Sequence, residues 1–228
     1  MVIPDLGMAL LSLFAISGIG RLLILPLPPL ALHWYAVLAT LSGLLLCSFA
    51  IQCLAIAGST QSGFLLLGAI IILAGLAGHW FGRGRFETIP LPAARPFPVF
   101  MAGLLILILV LLLLICLAPS TKIDELHYHM LVGRRILEDQ GLRLYQLPAV
   151  QAIVPQMGYQ IAQTILHAAG AADAGNILGL AFGMLLWLLV YGVVTTETGS
   201  TELGMLAVLA CAVGLYPAVW YVTSAPHS

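Results

Sequence analysis

Six stretches of the chain run apolar for long enough to cross a bilayer, near 6 to 25, 32 to 57, 63 to 82, 98 to 118, 174 to 194 and 202 to 222, by the ruler of about 20 residues per spanning helix. The pattern predicts an all-α polytopic membrane helical bundle. The fourth stretch, FMAGLLILILVLLLLICLA, is the clearest, with no polar side chain to interrupt it. The first is the weakest, because it carries Arg21 and runs into Pro26, Pro28 and Pro29. Prolines lack the amide that a helix needs, so this cluster predicts a turn at the membrane surface.

Between the fourth and fifth stretches the period changes from continuous to amphipathic. IDELHYHMLVGRRILEDQG sets Leu126, Met130, Gly133 and Leu137 on one helical face and Asp124, Tyr128, Arg135 and Glu138 on the other, and ends at Gly141. IVPQMGYQIAQTILHAAG repeats the arrangement, with Ile153, Met157, Ile161 and Ile165 against Gln156, Gln160, Gln163 and His167. Pro155 suits a first helical turn. Two interfacial helices, 124 to 140 and 153 to 168, are therefore expected in the first large external loop, lying along the membrane surface. Residues 142 to 152 should be irregular, since Pro148 breaks either period. The organisation is one membrane domain over 1–228: four spans to 118, the loop 119–173, and two spans within 174–222.

Composition agrees and narrows the function classes. Hydrophobic residues make up 61% and charged residues 7%, with a mean hydropathy of +1.09; seventeen charges cannot solvate the surface of a soluble domain of this length. Soluble enzymes, secreted disulfide modules and disordered tails are excluded, and the bilayer is the main partner. Net charge is −1 with no basic run, so the footprint of a nucleic-acid binder is missing. Cys47, Cys53, Cys116 and Cys211 stand in apolar stretches without paired spacing and read as small packing residues. The start MVIPDLG has no positive region of a cleaved signal, so the spans themselves direct insertion.

Charge sets the expected orientation. Arg83, Arg85 and Arg95 face a single acid, Glu87, in the loop 83–97, which by the positive-inside rule lies in the cytoplasm. Counting spans then puts Arg21 inside, the N-terminus outside and 119–173 outside. This describes a multi-pass protein of the cell (inner) membrane. Gly175, Gly179 and Gly183 in GNILGLAFG form overlapping small-residue repeats that permit close helix approach, as do Gly78 and Gly82. His33, His79 and His167, near span ends, are expected to be satisfied by water or backbone.

Eight of the 17 charged residues fall within 122–143, so candidate chemistry concentrates there. Asp124 and Glu125 sit where acids favour the positive end of a helix, and point about 100° apart on it. Arg134 and Arg135 could meet a phosphate at the membrane surface, or pair locally with Glu138 and Asp139 at i+4. Asp124, Glu125, His127 and His129 are metal-compatible types, but only Glu125 and His129 share an i, i+4 face. Two ligands without a distant partner do not make a metal site, and no cofactor is expected.

The order of a clear span, an exit at Pro119, the sequence D-E-x-x-Y at Asp124, Glu125 and Tyr128, then a surface helix, Gly141, Pro148 and Pro155, resembles the first external loop of GT-C fold membrane glycosyltransferases. DELHYH fits both the D-E form of the protein O-mannosyltransferase and aminoarabinose transferase branch and the D-x-L-x-Y-H form of bacterial relatives. The resemblance covers residues 98 to about 222. It implies transfer of a sugar from a polyprenyl-phosphate donor to an acceptor hydroxyl or amine at the outer face, generally with inversion. Asp124 would be the catalytic base with Glu125 beside it, and Tyr128, His129, Arg134 and Arg135 would bind substrate. Family members have more spans and further external loops, so the chain resembles the N-terminal portion of such an enzyme. The competing class is a non-enzymatic polytopic subunit or scaffold. Spans two to six carry no ionisable residue in their interiors, which argues against a transporter half.

The orientation is tested by single cysteines at Thr121 and Glu87, probed in intact cells with a membrane-impermeant reagent. Labelling is expected at 121 and not at 87; the reverse pattern would invert the topology.

Overall fold

A computed structural model of the chain describes residues 2–82, 86–87, 96–117, 130–142 and 162–214. In chain order the elements are α1 (Val2–Leu23), β1 (Leu30–Ala31), α2 (Leu32–Ala57), α3 (Gln61–Phe81), β2 (Phe86–Glu87), α4 (Pro96–Leu117), α5 (Met130–Glu138), α6 (Thr164–Ala168), α7 (Ala174–Thr198) and α8 (Thr201–Gly214). The fold is an all-α polytopic bundle. Five helices, α1 to α4 and α7, are long and apolar enough to cross a membrane. The sixth expected span is represented by α8, apolar over 14 residues, and 215–222 lie outside the described residues.

Large apolar side chains face outward all along these helices, among them Leu45 at 71% exposure, Leu66 at 64% and Phe100 at 68%. Only a hydrocarbon surround accommodates such a surface, so the chain is a multi-pass membrane protein.

The turns follow from local chemistry. α1 ends three residues before Pro26. The α7–α8 hairpin turns at Gly199, which adopts a positive φ of 66° while its N–H donates to the Thr195 carbonyl at 2.9 Å. The Ser200 hydroxyl then accepts the Leu203 amide at 3.2 Å and caps α8. Leu30 and Ala31 pair in parallel with Phe86 and Glu87, a two-residue tie that the hydrophobic pattern did not announce.

α1 lies at the centre, packed against α2, α3 and α7, while α7 also packs against α2, α4 and α8. The tightest seams run along α1. A Cβ on Gly18 would overlap the Gly75 carbonyl, and one on Gly78 would overlap the Gly18 carbonyl. A Cβ on Gly20 or Gly43 would overlap the carbonyl of Ala39 or Ile16 across the α1–α2 seam. Of the expected repeat, Gly175 makes a close approach and Gly183 does not. Gly183 has open space around it, whereas a Cβ on Gly175 would stand 2.8 Å from the Gln163 amide; Trp187, Tyr191 and Leu178 supply side-chain packing along the same helix.

The bundle has two distinct ends. At one, Tyr35 Oη donates to the Gly82 carbonyl at 3.1 Å and the Arg21 guanidinium lies 5.6 Å from the Tyr35 ring centre. Arg21 thus shares its end with the start of the arginine-rich loop, as span counting requires. At the other end lie the α2–α3 turn, α5 and α6, joined by hydrogen bonds from Ser59 N to Gln140 O at 3.0 Å and from Leu142 N to Ala55 O at 2.8 Å.

Gly75→Ala is expected to destabilise the bundle by roughly 1–3 kcal/mol, the range for overpacking a close seam. Gly183→Ala should be neutral or stabilising by up to about 1 kcal/mol, since helix propensity improves where nothing is crowded. Thermal unfolding of both variants in one detergent checks the difference.

Candidate functional site

The charged segment that concentrates candidate chemistry begins, among the described residues, at α5. α5 is amphipathic, and its sequence decides how it docks. Ile136 is fully buried against Ile51, Ala55, Phe64 and Ala168, with Val132 and Leu137 packed beside it. Gly133 is buried on the same side, and a Cβ there would come within 2.8 Å of His167 Cδ2 and 3.2 Å of the Thr164 amide nitrogen. α5 therefore lies across the α2–α3 turn and against α6, forming a cap over one end of the bundle.

The helix stops in a Schellman turn. Gly141 N reaches the Ile136 carbonyl at 2.9 Å and Gln140 N the Leu137 carbonyl at 3.3 Å. The left-handed residue is Gln140, with φ 52°, and not the glycine expected to end the helix. Gly141 serves the docking instead. A Cβ on it would stand 3.1 Å from the Ala55 carbonyl, so its small size lets the cap approach α2.

Arg134 and Arg135 both point outward from this cap. Arg134 Nε donates to Glu138 Oε1 at 2.7 Å, the local i, i+4 pair, with the two side chains 70% and 44% exposed. Asp124, Glu125, Tyr128 and His129 lie outside the described residues, as do 124–129 of the first expected surface helix and 153–161 of the second. The structure thus puts two of the six expected site residues on one outward face and leaves their relation to the acids outside the described residues.

The second surface helix is described from Thr164 to Ala168 and corrects its expected polar face. Gln163 is 4% exposed and Thr164 is fully buried. His167 Nε2 and Thr164 Oγ1 are buried without a hydrogen-bond partner. The reason is placement: α6 is not on the surface but between α5 and the bundle, tied to α3 by Gln61 Nε2 donating to the Ala168 carbonyl at 2.7 Å. Burial, and then the Arg134 charge, hold the His167 imidazole below its ordinary pKa, so the ring is neutral at neutral pH.

The remaining histidines divide. His79 Nε2 donates to the Phe14 carbonyl at 2.8 Å, with its ring stacked on Phe14 at 3.8 Å between centres, and is satisfied by backbone as expected. His33 is not: it is 1% exposed, its Nδ1 has no partner, and its ring lies against the α7 backbone, where a Cβ on Gly192 would overlap it. The only signal for this contact along the chain is a glycine in an otherwise branched stretch of α7.

Beneath α6 is an apolar cavity of about 60 Å³. Ser12, Cys47, Leu44, Gly68, Gln163 and Phe182 contribute to its wall, drawn from α1, α2, α3, α7 and the α6 segment. Its lining suits hydrocarbon and not water. No group of three His, Cys, Asp or Glu side chains converges to hold a metal among the described residues.

Ile136→Ala should cost about 2–5 kcal/mol of cap stability, the usual range for emptying a filled core position. Arg134→Ala should cost under about 1 kcal/mol, because an exposed pair is worth little. Limited proteolysis across 130–142 reads the two variants against each other.

No family model, no curated protein and no solved structure matches the chain.

Proposed function

We propose that the chain is a glycosyltransferase of the cell (inner) membrane. It takes a sugar from a polyprenyl-phosphate donor and passes it to an acceptor at the outer face. The observation that carries the reading is the docked α5 cap: Asp124 and Glu125 precede it by a few residues, and Arg134 and Arg135 project outward from it at one end of the bundle. Fixed guanidinium groups at the membrane surface suit a lipid phosphate, held there apart from the reacting one. The apolar cavity under α6 supports the same reading, since part of an isoprenoid chain suits its lining.

In this mechanism Asp124 accepts the proton of the acceptor hydroxyl as its oxygen attacks the anomeric carbon, and the phosphate departs with the bonding electrons. Glu125, about 100° from Asp124 on the helix that the sequence predicts, serves in orientation, with Tyr128 and His129 as acceptors and donors to the sugar. Arg135 is eleven residues from Asp124, roughly 16 Å along a continuous helix. The arginines therefore hold a lipid phosphate and do not touch the reacting carbon.

The test uses the full protein in membranes with a polyprenyl-phosphate sugar. Asp124→Asn should lower turnover by about 10²–10⁴-fold, the contribution of a positioned base, while insertion and folding persist. Asn and Asp cap helices almost equally, so the fold should change by a few tenths of a kcal/mol at most. Glu125→Gln should be milder. Near-normal transfer by Asp124→Asn would reduce this carboxylate to a helix cap. If no lipid-linked sugar is consumed at all, a non-enzymatic membrane subunit takes the place of the transferase.

A further inference from the structure

The seam between α5 and α6 is unusual in what it buries. Gly133 brings the α5 backbone directly onto the His167 ring, with the missing Cβ position 2.8 Å from Cδ2. His167 Nε2 sits in this packing with no partner, and one turn earlier Thr164 Oγ1 is equally unpartnered. A neutral imidazole tolerates such a half-buried site at modest cost; an imidazolium would place its charged Nε2–H in the packing with no acceptor and no counter-ion. The surroundings make that worse. On α5 and the turn that ends it the charged groups are Arg134, Arg135, Glu138 and Asp139, and the one acting on the ring is Arg134, whose sign repels a second cation. The Glu138 carboxylate is engaged by Arg134 at 2.7 Å. α3 and α2 bear no Asp, Glu, Lys or Arg near this end: His79 and His33 lie at their far ends, and Cys47 and Cys53 are the cysteines of α2. Asp173, at the start of α7, lies six residues beyond His167 and is not among the groups acting on the ring.

We propose that the α5–α6 cap is a pH-sensitive latch, docked while the His167 ring is neutral and released when the ring gains a proton. The sign follows from linkage. Docking holds the imidazole below its ordinary pKa near 6.5, so the docked state binds fewer protons than the released one. Docking is therefore at full strength above that value and weakens as pH falls through it, by up to about tenfold per pH unit for a single proton. The loss levels off once the docked ring itself titrates. Release frees the two backbone hydrogen bonds that the end of α5 makes with the α2–α3 turn, and uncovers Ile136, Ile51, Ala55 and Phe64. This latch does not depend on any transferase activity, and its test reads structure alone.

Two amides report the latch directly: Leu142 N, bonded to Ala55 O, and Ser59 N, bonded to Gln140 O. Hydrogen exchange at these positions is measured on the full chain in lipid nanodiscs between about pH 7.5 and about pH 5, corrected for intrinsic rates, with mid-α7 amides as the reference. Protection at Leu142 and Ser59 should fall by up to about tenfold per unit below about pH 6.5, with the reference unchanged. His167→Gln should abolish that dependence. Arg134→Gln leaves the ring in place and removes its repelling neighbour, so the loss should begin at the same pH and level off sooner. A flat wild-type profile would overturn the latch. So would a slope in His167→Gln as steep as wild type, or one abolished in Arg134→Gln.

Discussion

Inside hydrocarbon the hydrophobic effect does not draw one apolar helix to another, so the bundle depends on how closely backbones can approach. α1 supplies that approach. Gly18 and Gly20 stand on its faces toward α3 and α2, answered by Gly75 and Gly78 on one side and Gly43 on the other. Dispersion contacts fade steeply with distance, and a seam of peptide groups at this separation gains what side-chain tips alone would not. Everything at the two ends is positioned by this seam. The α2–α3 turn can receive α5 only because both helices are held against α1, and the Tyr35 to Gly82 hydrogen bond closes the opposite end across the same pair.

The long elements are readable from hydrophobic runs because a span needs only length and the absence of charge. Helix ends are readable where Pro26 and Gly199 force them. The choice of seam is not. GNILGLAFG on α7 and the glycines of α1 and α3 present equally good small-residue patterns, and which pair meets is decided by the tertiary path of the chain. The same holds for α5. Its apolar stripe is visible, but Ile136, three residues beyond Gly133, stands outside the face drawn from spacing and proves to be the most deeply buried residue of the cap. A stripe drawn through Val132, Gly133, Ile136 and Leu137 would have found it.

The candidate site is legible as a concentration of charge and only in part as geometry. Arg134 pairs with Glu138 as i, i+4 spacing allows, because that contact needs no tertiary information. His167 and Gln163 defy the amphipathic reading because periodicity assigns polar residues to water by default. Burial of a polar residue depends on what covers it, and α5 arrives from well upstream in sequence. Two unpartnered polar atoms on α6 are the structural trace of that override.

α6 is the element that joins these consequences. Thr164 and His167 turn toward α5, while Gln163, Ile165 and Leu166 form part of the wall of the apolar cavity between α1, α2, α3 and α7. A helix of five residues has too few internal hydrogen bonds to hold its shape unaided, so its conformation is set by the partners on its two sides. The Gln61 bond fixes its C-terminal carbonyl to α3, leaving α5 as the contact that determines how its remaining face lies over the cavity. The half-buried His167 ring and part of the wall of the apolar space beneath it are in this way carried by a single short segment.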